Sequence, residues 1–450
     1  MASRSEQGKE IHNMNRNSGE TDSIYQQYMY SYPHKTAYRT LLDLDIRDYL
    51  PRLAGAENSL YFHIPFCEAK CGYCNLFSVA GQKRKYMEHY LDAMEEQLRQ
   101  YQLGDAIFQD VTIGGGTPLY LDADQLERLF KIVDRVMERN REYPVIVETS
   151  PNQTTEEKLE IAKAHHTQRV SIGIQSFQEE ELKRLCRIHT ADQARKAIAA
   201  IKKQGFTCMN LDLIYGIPGQ SKESLGESLR EALSYQPEEL FIYPLYIKPG
   251  TVLAEKEQQP SRHTRFFYEM VREYLLTRGY VQYSMRRFVR KDYAATIPAE
   301  SCGFGNTLSM GCGGRSYLGN LHFCTPYYVR QTACKRQLDA YLETRDYTRI
   351  THGFLLDQQE EKRRYVIKNI LFTSGLDVRK YGQTFSGDLD KDFPLLQLWK
   401  EDGYVDVNDG IYQLTEEGMA RSDALGPQLI SENVRGLMRE WENSFSTGAI

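Results

Sequence analysis

Cys67, Cys71 and Cys74 sit together in Tyr61-Phe-His-Ile-Pro-Phe-Cys67-Glu-Ala-Lys-Cys71-Gly-Tyr73-Cys74, directly after a short apolar run. The C-x3-C-x2-C spacing puts three thiolates on one tight loop. Soft thiolate ligands favour iron–sulfur clusters. Three of them suit three irons of a [4Fe–4S] cube and leave the fourth iron open to another ligand. A structural zinc site would need four ligands and usually a second C-x2-C pair, and the sequence has none.

Other polar residues recur where β-rich runs end. Gly114-Gly115-Gly116-Thr117-Pro118 follows one such run. It lacks the G-x4-G-K-[ST] form of a phosphate loop, but glycines there let backbone approach a ligand closely. Glu148 can accept hydrogen bonds from a ribose or an ammonium, or serve as a salt-bridge partner. Arg187 offers a planar fork for a carboxylate. Asp212 can hold an ammonium or ribose hydroxyls, and Gln175 ends a neighbouring run. Gln175, Arg187 and Asp212 together could hold an amino-acid-like ligand; each alone could equally be structural.

The elements that would position them alternate. Candidate strands are 60–64, 111–113, 145–148, 169–174, 209–214 and 240–245. Amphipathic helical stretches lie between them at 85–101, 124–140, 155–164, 179–186, 190–205 and 222–235, with apolar spacings of three and four. Asp122 or Asp124, Thr154 and Ser221 mark helix starts. This order predicts an α/β fold, a partial (β/α)6 barrel with parallel strands and right-handed crossovers. Its glycine and polar strand ends share one mouth with the cysteine loop. After Pro249 the alternation stops. A helix is expected over 261–278 and a strand over 279–289, followed by the glycine-rich stretch 302–319. Residues 350–425 read helix, helix, helix, hairpin, an α+β order resembling a winged helix. It has no basic recognition helix, so it reads as a lid or packing module. The expected organisation is 1–22 disordered, 23–57 an aromatic segment, 58–250 the barrel, 251–349 an extension and connector, and 350–450 the winged-helix-like module.

The 450-residue chain has a net charge of −5 and 41% hydrophobic residues, which gives no electrostatic case for nucleic acid or membrane. Nine cysteines without a secretory signal argue against a disulfide scaffold, and no apolar run reaches membrane-span length. A cytoplasmic location is expected. The tyrosine-rich run 24–38 reads either as packing across the barrel mouth or as a flap facing substrate.

The cysteine spacing, with aromatic Tyr73 just before Cys74, resembles the signature of the radical S-adenosylmethionine (SAM) superfamily. The resemblance narrows with Gly114-Gly-Gly-Thr-Pro-Leu-Tyr-Leu121, Glu148-Thr-Ser-Pro151, Arg169-Val-Ser-Ile-Gly-Ile-Gln175-Ser-Phe177 and Asn210-Leu-Asp212-Leu-Ile-Tyr-Gly-Ile-Pro-Gly-Gln220. Over about residues 58–290 the chain resembles the oxygen-independent coproporphyrinogen III oxidase family. That resemblance implies a radical SAM partial barrel, a [4Fe–4S] cluster and two SAM molecules. SAM would chelate the open iron and be cleaved reductively to methionine and a 5′-deoxyadenosyl radical. By matching positions, Tyr61, Tyr73, Gly115 and Glu148 would contact the first SAM, and Leu245 would flank its adenine. Gly116, Thr117, Gln175, Arg187 and Asp212 would contact the second.

The family includes oxidative decarboxylases of coproporphyrinogen III, heme-trafficking chaperones, and enzymes that transfer a methyl or methylene from the second SAM to an sp2 carbon. The decarboxylase pattern carries a further cysteine where this chain has Leu76, and the chaperone's His-Asn-x-x-Tyr-Trp motif is missing. These departures favour methyl or methylene transfer to a specialised small-molecule substrate, with decarboxylation and heme chaperoning as alternatives. A flavodoxin- or ferredoxin-type electron donor is expected. Cys302, Cys312, Cys324 and Cys334 could ligate a second cluster or be buried and incidental. Cys312, in a glycine-rich turn, is a candidate hydrogen or acid donor.

Overall fold

A computed structural model describes residues 27–29, 31–54, 58–104, 106–137, 143–294 and 305–446. The expected disordered start, the first part of the aromatic segment and Cys302 lie outside these residues.

Six parallel strands, Asn58–Ile64, Asp110–Gly115, Val145–Thr149, Thr167–Gln175, Cys208–Tyr215 and Glu239–Pro244, lie side by side in chain order. Their inward and outward faces are both covered, so they read as near-continuous apolar runs such as Cys208-Met-Asn-Leu-Asp-Leu-Ile-Tyr215. Helices Arg84–Tyr101, Ala123–Met137, Glu156–Ala164, Ala191–Gln204 and Lys222–Ser234 occur in the crossovers between them. The last four of these starts are fixed by side-chain caps. Thr190 and Ser221 each form a reciprocal capping box, and Asp122 accepts from the Gln125 amide. The third of these helices is capped by Thr155, one residue after the expected Thr154.

The sheet is larger than the sequence reading and is not closed. Thirteen strands are joined among the described residues. A seventh parallel strand, Asn306–Met310, pairs with Asn58–Phe62, within the stretch read as a glycine-rich connector. Antiparallel strands Ser316–Leu318, Leu321–Phe323, Arg349–Leu355 and Arg39–Asp45 extend that edge. At the other edge the expected single strand over 279–289 is two strands, Tyr280–Gln282 and Arg287–Arg290, paired antiparallel. The turn between them lets Arg287 reach Glu239 at 2.6 Å inside the barrel, where Arg169 holds the other carboxylate oxygen at 2.7 Å.

The C-terminal module has its own core around Trp399, Tyr381, Leu396 and Val366. Helices Gln358–Ile370, Val378–Phe385 and Leu395–Glu401 precede the hairpin Val405–Asn408/Ile411–Leu414, which adds Leu376–Asp377 as a third strand. The aromatic segment joins this module to the barrel. Met29 and Tyr32 are buried in the module core, and Tyr32 donates to Glu360. Buried Arg286 pairs with Asp423, with Tyr246 bonded to both. No described helix is long and apolar enough to cross a membrane.

Candidate active site

The first strand runs straight into the cysteine loop, and the second strand is laid against that loop. The Gly116 amide donates to the Ile64 carbonyl at 2.8 Å and the Thr117 amide to Phe66 at 2.7 Å. This contact requires glycine. A Cβ on Gly116 would lie 2.7 Å from the Phe66 carbonyl oxygen and 2.9 Å from Cys67 Sγ. Gly115 has φ 117° and packs its bare face on the His63 ring, where a Cβ would lie 2.8 Å away. The other side of the loop is pinned through Gly72, which donates to Leu185 and accepts from Leu253.

Cys67, Cys71 and Cys74 line a cavity of about 930 Å³ that continues through the barrel interior. Burial pushes the Cys67 thiol up to about 12 and raises that of Cys74. These thiols ionise only when a metal offsets the lost solvation. No group of three or more His, Cys, Asp or Glu among the described residues is arranged to hold a single metal ion. A cubane spreads its thiolates farther apart than one ion does, because each binds a different iron. Three thiols supplied by one loop to a cavity wall suit three irons of a [4Fe–4S] cluster and leave one iron open; Cys186 also lines this cavity, with its sulfur packed on Gly72.

Around the thiols stand polar groups, each held by a second contact. The Arg187 guanidinium donates to Cys71 Sγ at 3.1 Å and to the Gly173 carbonyl at 2.6 Å. Burial opposes its charge, but neighbouring Cys71 and Tyr73 keep it protonated. His189 orients it. His189 Nε2 donates to the Ile174 carbonyl at 3.2 Å, so its Nδ1 accepts from Arg187 Nε at 3.3 Å. Burial and Arg187 hold this imidazole neutral, down at about 3. Gln175 has φ 69° at a bulge in its strand, and its carboxamide packs where a Gly173 Cβ would be. A non-glycine residue in the left-handed region stores strain that clusters at functional sites.

Glu148 Oε2 accepts from the Gly115 amide at 3.1 Å, and burial raises its carboxyl. Its other oxygen has no described partner. Asp212 Oδ1 accepts from Asn210 at 2.8 Å. Burial, against the Asn210 bond and reinforced by Glu148, pushes Asp212 up to about 7. Tyr61, Tyr73, Gly115, Gly116, Thr117, Glu148, Gln175, Arg187, Asp212 and Leu245 all line the cavity. Among the residues assigned to the second SAM, Gly116 and Thr117 lie beside Cys67 and Arg187 bonds Cys71.

Cys312, the candidate hydrogen or acid donor, is 0% exposed, lies off the cavity wall, and has its thiol raised by burial. Its amide is bonded to Tyr90 and its sulfur faces Thr325, within the core. Cys324 and Cys334 are also buried. Tyr28, His34 and Lys35 of the tyrosine-rich run also line the cavity, as do Lys248 and Arg315, which the sequence reading did not single out.

The Radical SAM superfamily signature matches residues 61–232. The heme chaperone HemW of Haemophilus influenzae is 30% identical over 287 residues, spanning 62% of this chain and 74% of that protein. HemW of Bacillus subtilis is 27% identical, spanning 80% and 96%. The oxygen-independent coproporphyrinogen III oxidase of Escherichia coli is 26% identical over 433 residues, spanning 88% and 92%. The solved structure of the Escherichia coli oxidase HemN superposes with a TM-score of 0.76 at 24% identity, covering 89% of this chain and 96% of that one, and so shares the fold. The chain therefore belongs to the radical SAM superfamily, within the group of oxygen-independent coproporphyrinogen III oxidases and HemW heme chaperones.

Proposed function

We propose that the chain is a radical SAM enzyme of the coproporphyrinogen oxidase type, acting on a carboxylate-bearing substrate. The observation that carries this reading is the meeting of three cysteine thiols, the glycine run, Glu148, Arg187 and Asp212 on one cavity. Its volume lies near the top of the roughly 300–1,000 Å³ range of ligand sites, which supports two ligands at once.

When bound, the cluster and the SAM on its open iron supply one electron and a 5′-deoxyadenosyl radical that takes a hydrogen atom from substrate. The chain's own residues prepare for this. The Gly115–Gly116 backbone lies where no side chain can intrude. The second oxygen of Glu148 is left to accept an ammonium or hydroxyl, as is Asp212. Arg187 holds positive charge against Cys71. Tyr28, His34 and Lys35 close the cavity from the N-terminal segment and limit water. A propionate arm that loses hydrogen from the carbon next to the ring then loses CO2 and one electron, leaving a vinyl group. The hydrogen ends in 5′-deoxyadenosine and the electron in a one-electron acceptor of flavodoxin or ferredoxin type.

A second reading, heme chaperoning without turnover, is supported by the 96% coverage of the Bacillus subtilis chaperone. Transfer of a methyl or methylene from a second SAM draws on cavity size and on Leu76, and not on the relatives above. Anaerobic turnover with coproporphyrinogen III and methyl-labelled SAM separates the three. Deoxyadenosine and CO2 without label in the porphyrin product are expected. Label in the product indicates methyl transfer. A stable Soret band with heme and no SAM cleavage indicates a chaperone. Either of those results overturns the proposal.

A further inference from the structure

The register of the parallel strands lays one polar row across the barrel interior. Glu148 pairs with Ser171, Ser171 with Asn210, and Asn210 with Glu239. All four line the cavity. Glu148 accepts from the Gly115 amide, and Glu239 holds Arg169 and Arg287. Between them Asn210 is 1% exposed. Barrels usually fill such a layer with Val, Ile and Leu, so a buried carboxamide here calls for a partner that needs it.

That partner is Asp212. The two residues stand two apart on one strand, Cys208–Tyr215, and share its inward face. Asn210 Nδ2 donates to Asp212 Oδ1 at 2.8 Å and to Ser171 Oγ at 3.3 Å. This fork fixes the plane of the amide. It leaves Asn210 Oδ1 buried with no hydrogen-bond partner among the described residues, so the amide is held by what it donates to. The charged and titratable groups facing Asp212 come from other elements: Glu148 from the third strand, Arg169 from the fourth, Arg187 beyond it, and Tyr73 from the cysteine loop. Among the described residues, Asn210 alone hydrogen-bonds the Asp212 side chain, through Oδ1. Oδ2 remains for the cavity.

We infer that Asn210, braced by Ser171, is the positioning residue for Asp212: it holds Oδ1 and presents Oδ2, as a carboxylate, to the ammonium or hydroxyl of a ligand. This rests on the reading of Asp212 as a ligand contact and names what aims it. A hydrogen bond donated to the charged form favours that form. Its loss leaves burial, which already holds Asp212 up at about 7, less opposed. The carboxyl should then ionise only at higher pH.

The test is calorimetric titration of SAM into full-length protein carrying the oxidised cluster, between pH 6 and pH 9, where no cleavage competes. Wild-type affinity should weaken as pH falls through about 7. Asp212→Asn should bind more weakly than wild type at pH 9 and lack that step. Asn210→Leu, close in size but without a donor, should move the step up by about one pH unit, with about tenfold weaker binding at pH 7 and little loss at pH 9. Asn210→Asp keeps the shape, lacks the N–H, and should move the step the same way. Ser171→Ala should move it less. Should Asn210→Leu fail to hold the cluster, Asn210→Asp and Ser171→Ala still report the step. A loss of affinity equal at every pH in the Asn210 variants, or a step left at its wild-type position, overturns the positioning role alone. If Asp212→Asn binds SAM with the wild-type pH profile, the ligand contact at Asp212 falls, and the positioning role with it.

Discussion

Asp212 offers a measurable trade between stability and binding. Its carboxyl stands at about 7 against an ordinary 3.8, chiefly because burial opposes its charge. The folded state therefore holds this proton more tightly than the unfolded chain. Stability from this group is complete below about pH 4, falls as pH rises, and reaches a constant deficit above about 7. The difference of about 3 units, at about 1.4 kcal/mol each, sets a ceiling of roughly 4 kcal/mol. Asp212 opens onto the cavity, and water there reduces the effect to about 1–3 kcal/mol. Asp212→Asn removes the ionisation and keeps the shape. In cluster-free protein, thermal unfolding of wild type and variant should coincide near pH 4. By pH 8 the variant should melt a few degrees higher. The same variant, cluster-loaded, should bind SAM or substrate more weakly, because the carboxylate that burdens the fold is kept for a ligand. A variant that is less stable than wild type at pH 8, or an offset equal at pH 4 and pH 8, would refute this reasoning.

Four further outcomes follow from the geometry. Gly116→Ala drives a methyl group into Cys67 Sγ and the Phe66 carbonyl, so the purified protein should lose most of its iron and sulfide by chemical analysis. Glu148→Gln should raise the KM for SAM about tenfold in deoxyadenosine formation, since a charge-assisted contact is lost while the Gly115 bond can persist. Arg187→Lys cannot hold Cys71 and the Gly173 carbonyl together; deoxyadenosine formation should fall with the cluster spectrum retained, and His189→Ala should give a smaller loss. Arg286→Ala leaves buried Asp423 unpaired and should cost about 3–5 kcal/mol in chemical denaturation, whereas Arg286→Met with Asp423→Leu should recover most of it.

The barrel was legible because its strands and helices repeat two distinct periods, and the periods mark which faces are buried. The cysteine loop was legible because its ligands are adjacent in sequence. The seventh parallel strand was hidden because Asn306-Thr-Leu-Ser-Met310 is short and borders a glycine run; its β character comes from pairing with Asn58–Phe62, some 250 residues away. Arg315 was missed for the same reason: it is one ordinary cation in sequence, and only the fold brings it to the cavity wall. Cys312 misled because a glycine-rich turn suggests exposure. Here the glycines allow close packing on Phe77, His63 and Tyr90 instead. His189 gave no signal beyond its place two residues after Arg187, which brings its ring nitrogen to the guanidinium.

The account turns on three thiols holding a cluster that cleaves SAM. Anaerobically reconstituted protein, reduced with dithionite and given SAM, should yield 5′-deoxyadenosine and methionine in equal amounts by mass spectrometry. Cys67→Ala, Cys71→Ala and Cys74→Ala should each abolish both products. Deoxyadenosine formation that survives in any of these variants, or that never appears in the loaded wild type, would contradict it.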